Sequence, residues 1–224
     1  ANEEACQFKG GVMGSKAIIG ILPLNHPYVT FDDKGNCLYD FMKEFGADPD
    51  NLQKAIRKKE EIMAFLELHI EQASLLEEKD IPVGIVTHIA GIHQMVINIH
   101  GQSAHAGGVP MEKRHDALAA AVKIASEVDR LARQSRSNTR GTVGYIKARP
   151  GEHNIIASDV EIPIDFREVD PIVRDRIYKY FEHYVDEICA EYGVRYDIKI
   201  TLDMHPVKSD ERIMKLYHKI AEKR

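Results

Sequence analysis

The chain has 224 residues, room for one large domain or two small ones and for a substantial buried core. Hydrophobic residues make up 44% and charged residues 29%, the balance of an ordinary soluble globular protein, and 30 Lys and Arg against 35 Asp and Glu leave a net charge of −5, so no basic excess points to nucleic acid. No apolar run is long enough to span a bilayer, and the acidic start Ala1-Asn2-Glu3-Glu4 lacks the apolar stretch of a signal peptide, so neither a membrane role nor secretion is expected.

From Cys6 to Asn36 the chain is rich in glycine and poor in periodicity, which predicts loops and short strands. Asp48-Pro49 predicts a helix start, with Asp as N-cap and Pro in the first helical position; the helix should run through Leu52, Ala55, Ile56 and Lys59 to about Ile62. Phe65 to Glu71 alternates in part and predicts a strand. A short helix through Leu75 and Leu76 and a strand from Val83 to Ile89 should follow, a succession that suggests an α/β sheet.

From about residue 92 the pattern changes. Met95, Ile97 and Ile99 share one strand face, and Gln94, Asn98 and His100 the other. A helix from about His115 carries Leu118, Ala121, Val122, Ala125, Val128 and Leu131 at helical spacing. Gly141 to Ala148 reads as a strand, and Asp159 to Arg167 alternates apolar with polar. Asp170-Pro171 starts a helix with Ile177, Phe181, Tyr184, Val185 and Ile188 on its apolar face, which Gly193 stops. Arg195 to Leu202 is the last strand. The order strand, helix, strand, strand, helix, strand predicts the ferredoxin-like split βαβ arrangement over about 90–204. A further helix is expected in 205–224, with Ile213, Leu216, Tyr217 and Ile220 as its apolar face. The fold class expected is therefore α/β: a complete small domain inserted between two pieces of a sheet domain, 1–89 and 205–224, that do not complete it.

Cys6, Cys37 and Cys189 are too few and too scattered for a disulfide framework or a zinc ribbon, and a reducing cytoplasm is the default location. The compositional oddity is 11 histidines against no tryptophan, which makes metal chemistry worth testing. Glu3 and Glu4 are adjacent, so in an extended chain their side chains point opposite ways; one can bind a metal while the other faces a substrate water, or both are solvated. His69 lies in a partly apolar strand-like segment, as a ligand for zinc or a similar ion or as a hydrogen-bonded core histidine. His105 is surrounded by small residues from Gly101 to Met111, which let a ligand or backbone approach closely; the alternative is a turn histidine with no role. Asn154 follows Pro150-Gly151-Glu152-His153 as a functional or turn-forming asparagine. Arg167 shares a strand face with Asp165, either as a plain ion pair or as a bidentate carboxylate clamp. Alternation puts His93 and His100 on opposite faces, and these and the other histidines read as structural or solvated.

Taken together these segments resemble the hydantoinase/carbamoylase amidases, the group of N-carbamoyl-L-amino-acid hydrolase, allantoate amidohydrolase and β-ureidopropionase within the di-zinc aminoacylase and carboxypeptidase superfamily. Asn2-Glu3-Glu4 with Phe8 resembles the family's NEEGxRF, and Leu66 to Gln72 its ELHIEQG. Gly101 to Met111, with Arg114 and Asp116, is similar to GxxxHAGTTPMxxRxDA. Asn154-Ile155-Ile156 and Asp165-Phe166-Arg167 resemble NxIP…DxR. The sequence departs from these patterns at Ala5, Gln7, Ala73, Gly108, Val109 and Ala157.

The resemblance implies an α/β zinc-hydrolase catalytic domain with the ferredoxin-like unit as its inserted lid or dimerisation domain. It implies Glu3 as general base toward a metal-bridging water, Glu4 and His69 as ligands of two divalent metals (zinc, manganese or cobalt), and Gln72 lining the site. His105 would stabilise an oxyanion, typically from the neighbouring subunit, while Asn154 and Arg167 would hold the substrate carboxylate. The family's first metal histidine and bridging aspartate would precede residue 1, and its last metal histidine would follow Arg224. The expectation is thus a metal-dependent amidohydrolase acting on the ureido group of N-carbamoyl-L-amino acids, a homodimer through the lid, with an incomplete ligand set and no turnover in this chain alone. The alternatives are an allantoate amidohydrolase, an aminoacylase or dipeptidase of the same superfamily, and a non-catalytic dimerisation module.

Overall fold

In this computed structural model, which describes residues 7–8, 11–135 and 138–222, the chain divides into two units, Ala1–Gln72 and Ala73–Arg224. The first unit departs most from the sequence expectation. Where loops and short strands were expected it forms three short helices: α1 (Met13–Ile18), α2 (His26–Val29) and, just beyond that stretch, α3 (Leu38–Glu44). A single antiparallel bridge, Phe31 to Cys37, is the strand-like pairing there. Packing explains one of these helices: α3 buries Leu38 and sets Phe41 edge-on against Phe8, ring centroids 5.3 Å apart.

The helix expected from Asp48 to Ile62 is instead two tight 3₁₀ turns, Pro49–Ala55 and Lys59–Glu61, joined through extended Ile56 and Lys58. The Asp48 carboxylate, expected to cap backbone N–H groups, accepts the side-chain amide of Asn51 at 2.8 Å instead, and Asn51 itself leaves the helical region. The strand expected over Phe65 to Glu71 does not form either. Leu68 is fully exposed, and among the described residues no backbone ladder pairs with 64–71. Partial alternation supplied the strand signal, but a strand also needs a neighbour to take its N–H and C=O groups.

The second unit begins with α4 (Leu75–Glu78) and β1 (His88–Ile89), the latter much shorter than the strand expected from Val83. Then come β2 (Gly91–His100), α5 (Ala117–Gln134), β3 (Arg140–Val143), β4 (Lys147–Arg149), β5 (Asp159–Glu168), α6 (Pro171–Tyr192), β6 (Arg195–Met204), β7 (Val207–Lys208) and α7 (Glu211–Ala221). The main sheet has the order β3-β5-β2-β6, with every neighbouring pair antiparallel and β4 also paired to β5. Strand β5 lies between β2 and β3, the two strands that α5 connects, which is the ferredoxin-like split βαβ expected from the sequence.

Alternation fixes the layers. Met95, Ile97 and Ile99 of β2 and Val160, Ile162, Ile164 and Phe166 of β5 face α5 and α6 and are buried. Ala117, Ala120 and Ala121 let α5 lie close to the sheet, and Gly141 of β3 is required there, because a Cβ would come within 2.9 Å of the Val128 carbonyl. Asp116 and Asp170 cap α5 and α6, each accepting two backbone N–H groups, and Gly193 ends α6 in the left-handed region at φ 61°. The single strand expected over Gly141 to Ala148 is broken into β3 and β4. The cause lies opposite the break: the Gly144 N–H donates to the Pro163 carbonyl at 3.0 Å, so the matching edge of Pro163 faces this side and has no N–H to return.

Strands β1 and β7 pair with each other, His88 with Lys208 and Ile89 with Val207, and the Ser209 hydroxyl donates to the Val86 carbonyl at 2.7 Å. The chain therefore enters and leaves the ferredoxin-like layer side by side, as an inserted domain does. Gly91, at the junction, has no room for a Cβ beside Pro206 and the Met204 carbonyl.

Candidate functional site

Glu3 and Glu4 lie outside the described residues, so the structure describes neither. In the first unit, His69 is exposed within the irregular segment after Ile62. Its Nδ1 lies 2.6 Å from the Ile70 carbonyl. A carbonyl only accepts, so Nδ1 carries the proton and Nε2 keeps its lone pair, the tautomer of an Nε2 metal ligand. Gln72, three residues on, is exposed and holds φ at 57°, an uncommon setting for a side chain of this size. Among the described residues no group of three or more His, Cys, Asp or Glu is placed to hold a metal ion. The side chains present therefore do not compose a metal centre by themselves.

In the second unit the structure brings His105 and Asn154 together. His105 bridges to Ile155, the Ala106 N–H donates to the Asn154 carbonyl at 2.8 Å, and the Ile156 N–H donates to the Ala104 carbonyl at 2.8 Å. The small-residue loop is thus stitched to the turn that carries Asn154. Within it the Gly107 N–H donates to His105 Nδ1 at 3.1 Å. That contact makes Nδ1 the acceptor and leaves the proton on Nε2, so the neutral ring presents an N–H donor outward. Gly107 also needs to be glycine, since a Cβ would sit 3.2 Å from His105 Cε1.

One residue without an assigned role in the sequence reading proves central to this loop. Arg114 donates from Nε to the Val109 carbonyl at 3.0 Å and from Nη2 to the Ala106 carbonyl at 2.5 Å, tying both flanks of the loop to one rigid guanidinium. Its signal was its place within the loop motif. Gly101 is a second such position: a Cβ there would collide with the His115 carbonyl.

Arg167 stands apart. It lies near the C-terminal end of β5, whereas Asn154 and His105 cluster before its N-terminal end. Eight residues of strand separate Asp159 from Arg167, roughly 26 Å at the usual rise. The sequence reading paired Asn154 and Arg167 on one carboxylate; within a single chain they are too far apart for one small molecule. The Arg167 side chain is about half exposed, and its Nε and Nη2 donate to the two oxygens of Asp165 at 3.0 and 3.1 Å. Burial disfavours the Asp165 charge, but the bonds from Arg167 and Gln94 outweigh it and lower its pKa; the bond to Asp165 in turn raises that of Arg167.

The remaining histidines of the sheet behave as alternation implied. His93 is buried on the helix side, stacked 4.1 Å from Tyr178, and bonds Asp203, which Arg174 also engages. His100 lies on the open face between Asp159 (2.9 Å) and Asp197 (3.1 Å), and hydrogen bonds to these carboxylates raise its pKa. No helix among the described residues is long and apolar enough to cross a membrane.

Residues 87–193 match the model of the peptidase dimerisation domain. The chain is 39% identical over 210 residues to the N-carbamoyl-L-amino acid amidohydrolase of Geobacillus stearothermophilus, covering 94% of this chain and 51% of that protein. It is 29% identical over 223 residues to the allantoate amidohydrolase of Escherichia coli strain K12, covering 100% and 54%. A crystal structure of a hydantoinase/carbamoylase family amidase from Burkholderia multivorans superposes with a TM-score of 0.84 at 27% identity, covering 99% of this chain and 53% of that one. The chain belongs to the hydantoinase/carbamoylase amidase family. It spans about half the length of the curated relatives it matches. The family match accounts for the ferredoxin-like layer, since the dimerisation-domain residues 87–193 include β2 to α6.

Proposed function

We propose that this chain serves a metal-dependent amidohydrolase that cleaves the ureido C–N bond of N-carbamoyl-L-amino acids, at a site completed by two copies of the chain. The observation that carries this reading is the separation within one chain: His105 and Asn154 lie at one end of β5 and Arg167 at the other. A small ureido acid reaches both sets only if one comes from a neighbouring copy. In this scheme residues 1–89 and 205–224 belong to the catalytic domain, and 90–204 form the lid and dimerisation domain.

The roles follow from the geometry of each side chain. His105, with its proton on Nε2, donates to the oxyanion that develops on the ureido carbonyl. Asn154 supplies a second polar group beside it. Arg167 offers the free edge of its guanidinium to the substrate carboxylate. Gln72 lines the site from the first unit, and Glu3 as base and Glu4 as metal ligand rest on the motif that carries them. Two divalent ions (zinc, manganese or cobalt), held in part by Glu4 and His69, supply the acidity that makes water a nucleophile near neutral pH. The steps assigned to this chain's described residues are those of its lid, and a cytoplasmic location fits the scarcity of cysteine.

The chain by itself is expected to show no turnover, and robust carbamoylase activity from it with added zinc, manganese or cobalt would refute that. Grafted in place of the matching stretch of the Geobacillus enzyme, it should hydrolyse N-carbamoyl-L-amino acids in preference to allantoate, N-acyl amino acids and dipeptides. In that graft His105→Ala should lower kcat by roughly 10²–10³. Preference for allantoate would redirect the substrate, and an unaffected kcat would remove His105 from the chemistry. The dimerisation-domain match over 87–193 favours a second reading, in which the chain alone acts as a pairing module.

A further inference from the structure

We propose that Gln94 and Asp165 are positioning residues that hold Arg167 by its Nε–Nη2 edge and so present its Nη1–Nη2 edge to the carboxylate of a ureido acid. The inference rests on the reading above that Arg167 is the carboxylate clamp.

A guanidinium has five N–H groups in a plane and two edges able to grip a carboxylate with paired bonds. In Arg167 one edge is taken: Nε donates to Asp165 Oδ1 at 3.0 Å and Nη2 to Asp165 Oδ2 at 3.1 Å. The end-on edge remains, on a side chain about half exposed to solvent. The bound edge fixes the plane of the group, so the free edge has a set direction rather than sweeping a cone.

Asp165 alone would hold it loosely, because the two residues sit two apart on one strand face and can rotate together. Gln94 removes that freedom. It lies directly across from Asp165 in the antiparallel register of β2 and β5, and its Nε2 donates to Asp165 Oδ2 at 2.8 Å. Two central strands of the sheet thus anchor the carboxylate, one of them 71 residues away in sequence. The bonds also keep Asp165 charged despite its partial burial. Asp165 offsets the positive charge of Arg167, so the device trades general attraction for anions against a preference for a planar, bidentate partner. A plain surface ion pair would have no such consequence for a ligand.

The test follows the Arg167 Nε–Hε cross-peak of the 224-residue chain by nitrogen-15 NMR, assigned through its loss in Arg167→Gln. N-carbamoyl-L-alanine is the probe, and N-carbamoyl-L-alaninamide, which lacks the carboxylate, is the control. In Gln94→Leu and Asp165→Asn, Hε exchange with water should speed up and affinity for the carboxylate probe should fall roughly tenfold. Binding of the amide should not change, and neither should backbone amide dispersion. Unchanged Hε exchange in both variants, or unchanged probe affinity where Arg167→Gln lowers it, overturns the positioning role. Should Arg167→Gln itself leave probe affinity intact, or the wild-type chain not distinguish acid from amide, the clamp reading fails and this inference with it. Affinity lost equally for acid and amide would mark a structural role only and also overturns the proposal.

Discussion

Strand β5 and the segment 65–71 start from similar material and end differently. Val160, Ile162, Ile164 and Phe166 alternate with polar residues and are buried under two helices, in a strand flanked on both sides. Phe65, Leu66, Leu68 and Ile70 are as apolar, yet all four are exposed, with no ladder among the described residues. Pattern alone does not make a strand. It makes a face, and the face becomes structure when the same chain supplies the layer to cover it. Between 91 and 204 the chain supplies two helices and every strand of the sheet.

The contrast can be broken by truncation. Phe181→Ala on α6 removes a fully buried ring that packs edge-on against Phe166, and should destabilise the second unit by about 3–5 kcal/mol. Leu68→Ala should change stability by under about 0.5 kcal/mol. Urea unfolding of both variants measures the two effects, and equal losses would mean that 65–71 is packed after all. A smaller effect is expected from Asp170→Ala. Its carboxylate accepts the Ile172 and Val173 N–H groups at 2.8 and 3.2 Å, and the cap is worth about 1 kcal/mol in the same assay.

The smallest effect belongs to the open face of the sheet. Hydrogen bonds to Asp159 and Asp197 raise the His100 pKa above its ordinary 6.5, so the folded state binds the proton more tightly than the unfolded chain. Its contribution is fully present below 6.5 and is lost as pH rises through the folded value. The thermal midpoint should therefore drop more over that interval in the wild type than in His100→Asn, by a modest amount because the ring is partly exposed. Parallel curves would show that the pair adds nothing.

The same contrast governs how much could be read from the sequence. Where alternation, caps and stops agreed, as in β2, β5 and the helix between Asp170 and Gly193, the elements formed close to where they were expected. Where a single signal stood alone, it failed. Asp48-Pro49 looked like a helix start, but the Asp48 side chain engages Asn51. Helices α1 to α3 are four to seven residues long and make no side-chain cap bonds, so no local signal announced them. Among the candidate residues, His105 and Arg167 were legible as residue types in suggestive settings. The tautomer that Gly107 selects, the support from Arg114 and the distance between Asn154 and Arg167 were not, because each depends on backbone contacts between segments far apart in sequence.

The central claim, that two copies share one carboxylate site, is tested most directly by mixing. Asn154→Ala and Arg167→Gln should each lose affinity for N-carbamoyl-L-alanine when measured alone. Combined in equal amounts and allowed to exchange partners, they should regain binding at roughly one quarter of all sites, because each mixed dimer carries one intact and one doubly altered site. No recovery on mixing, with dimers present by sedimentation, would place both residues in the same copy's site or outside it and contradict the account.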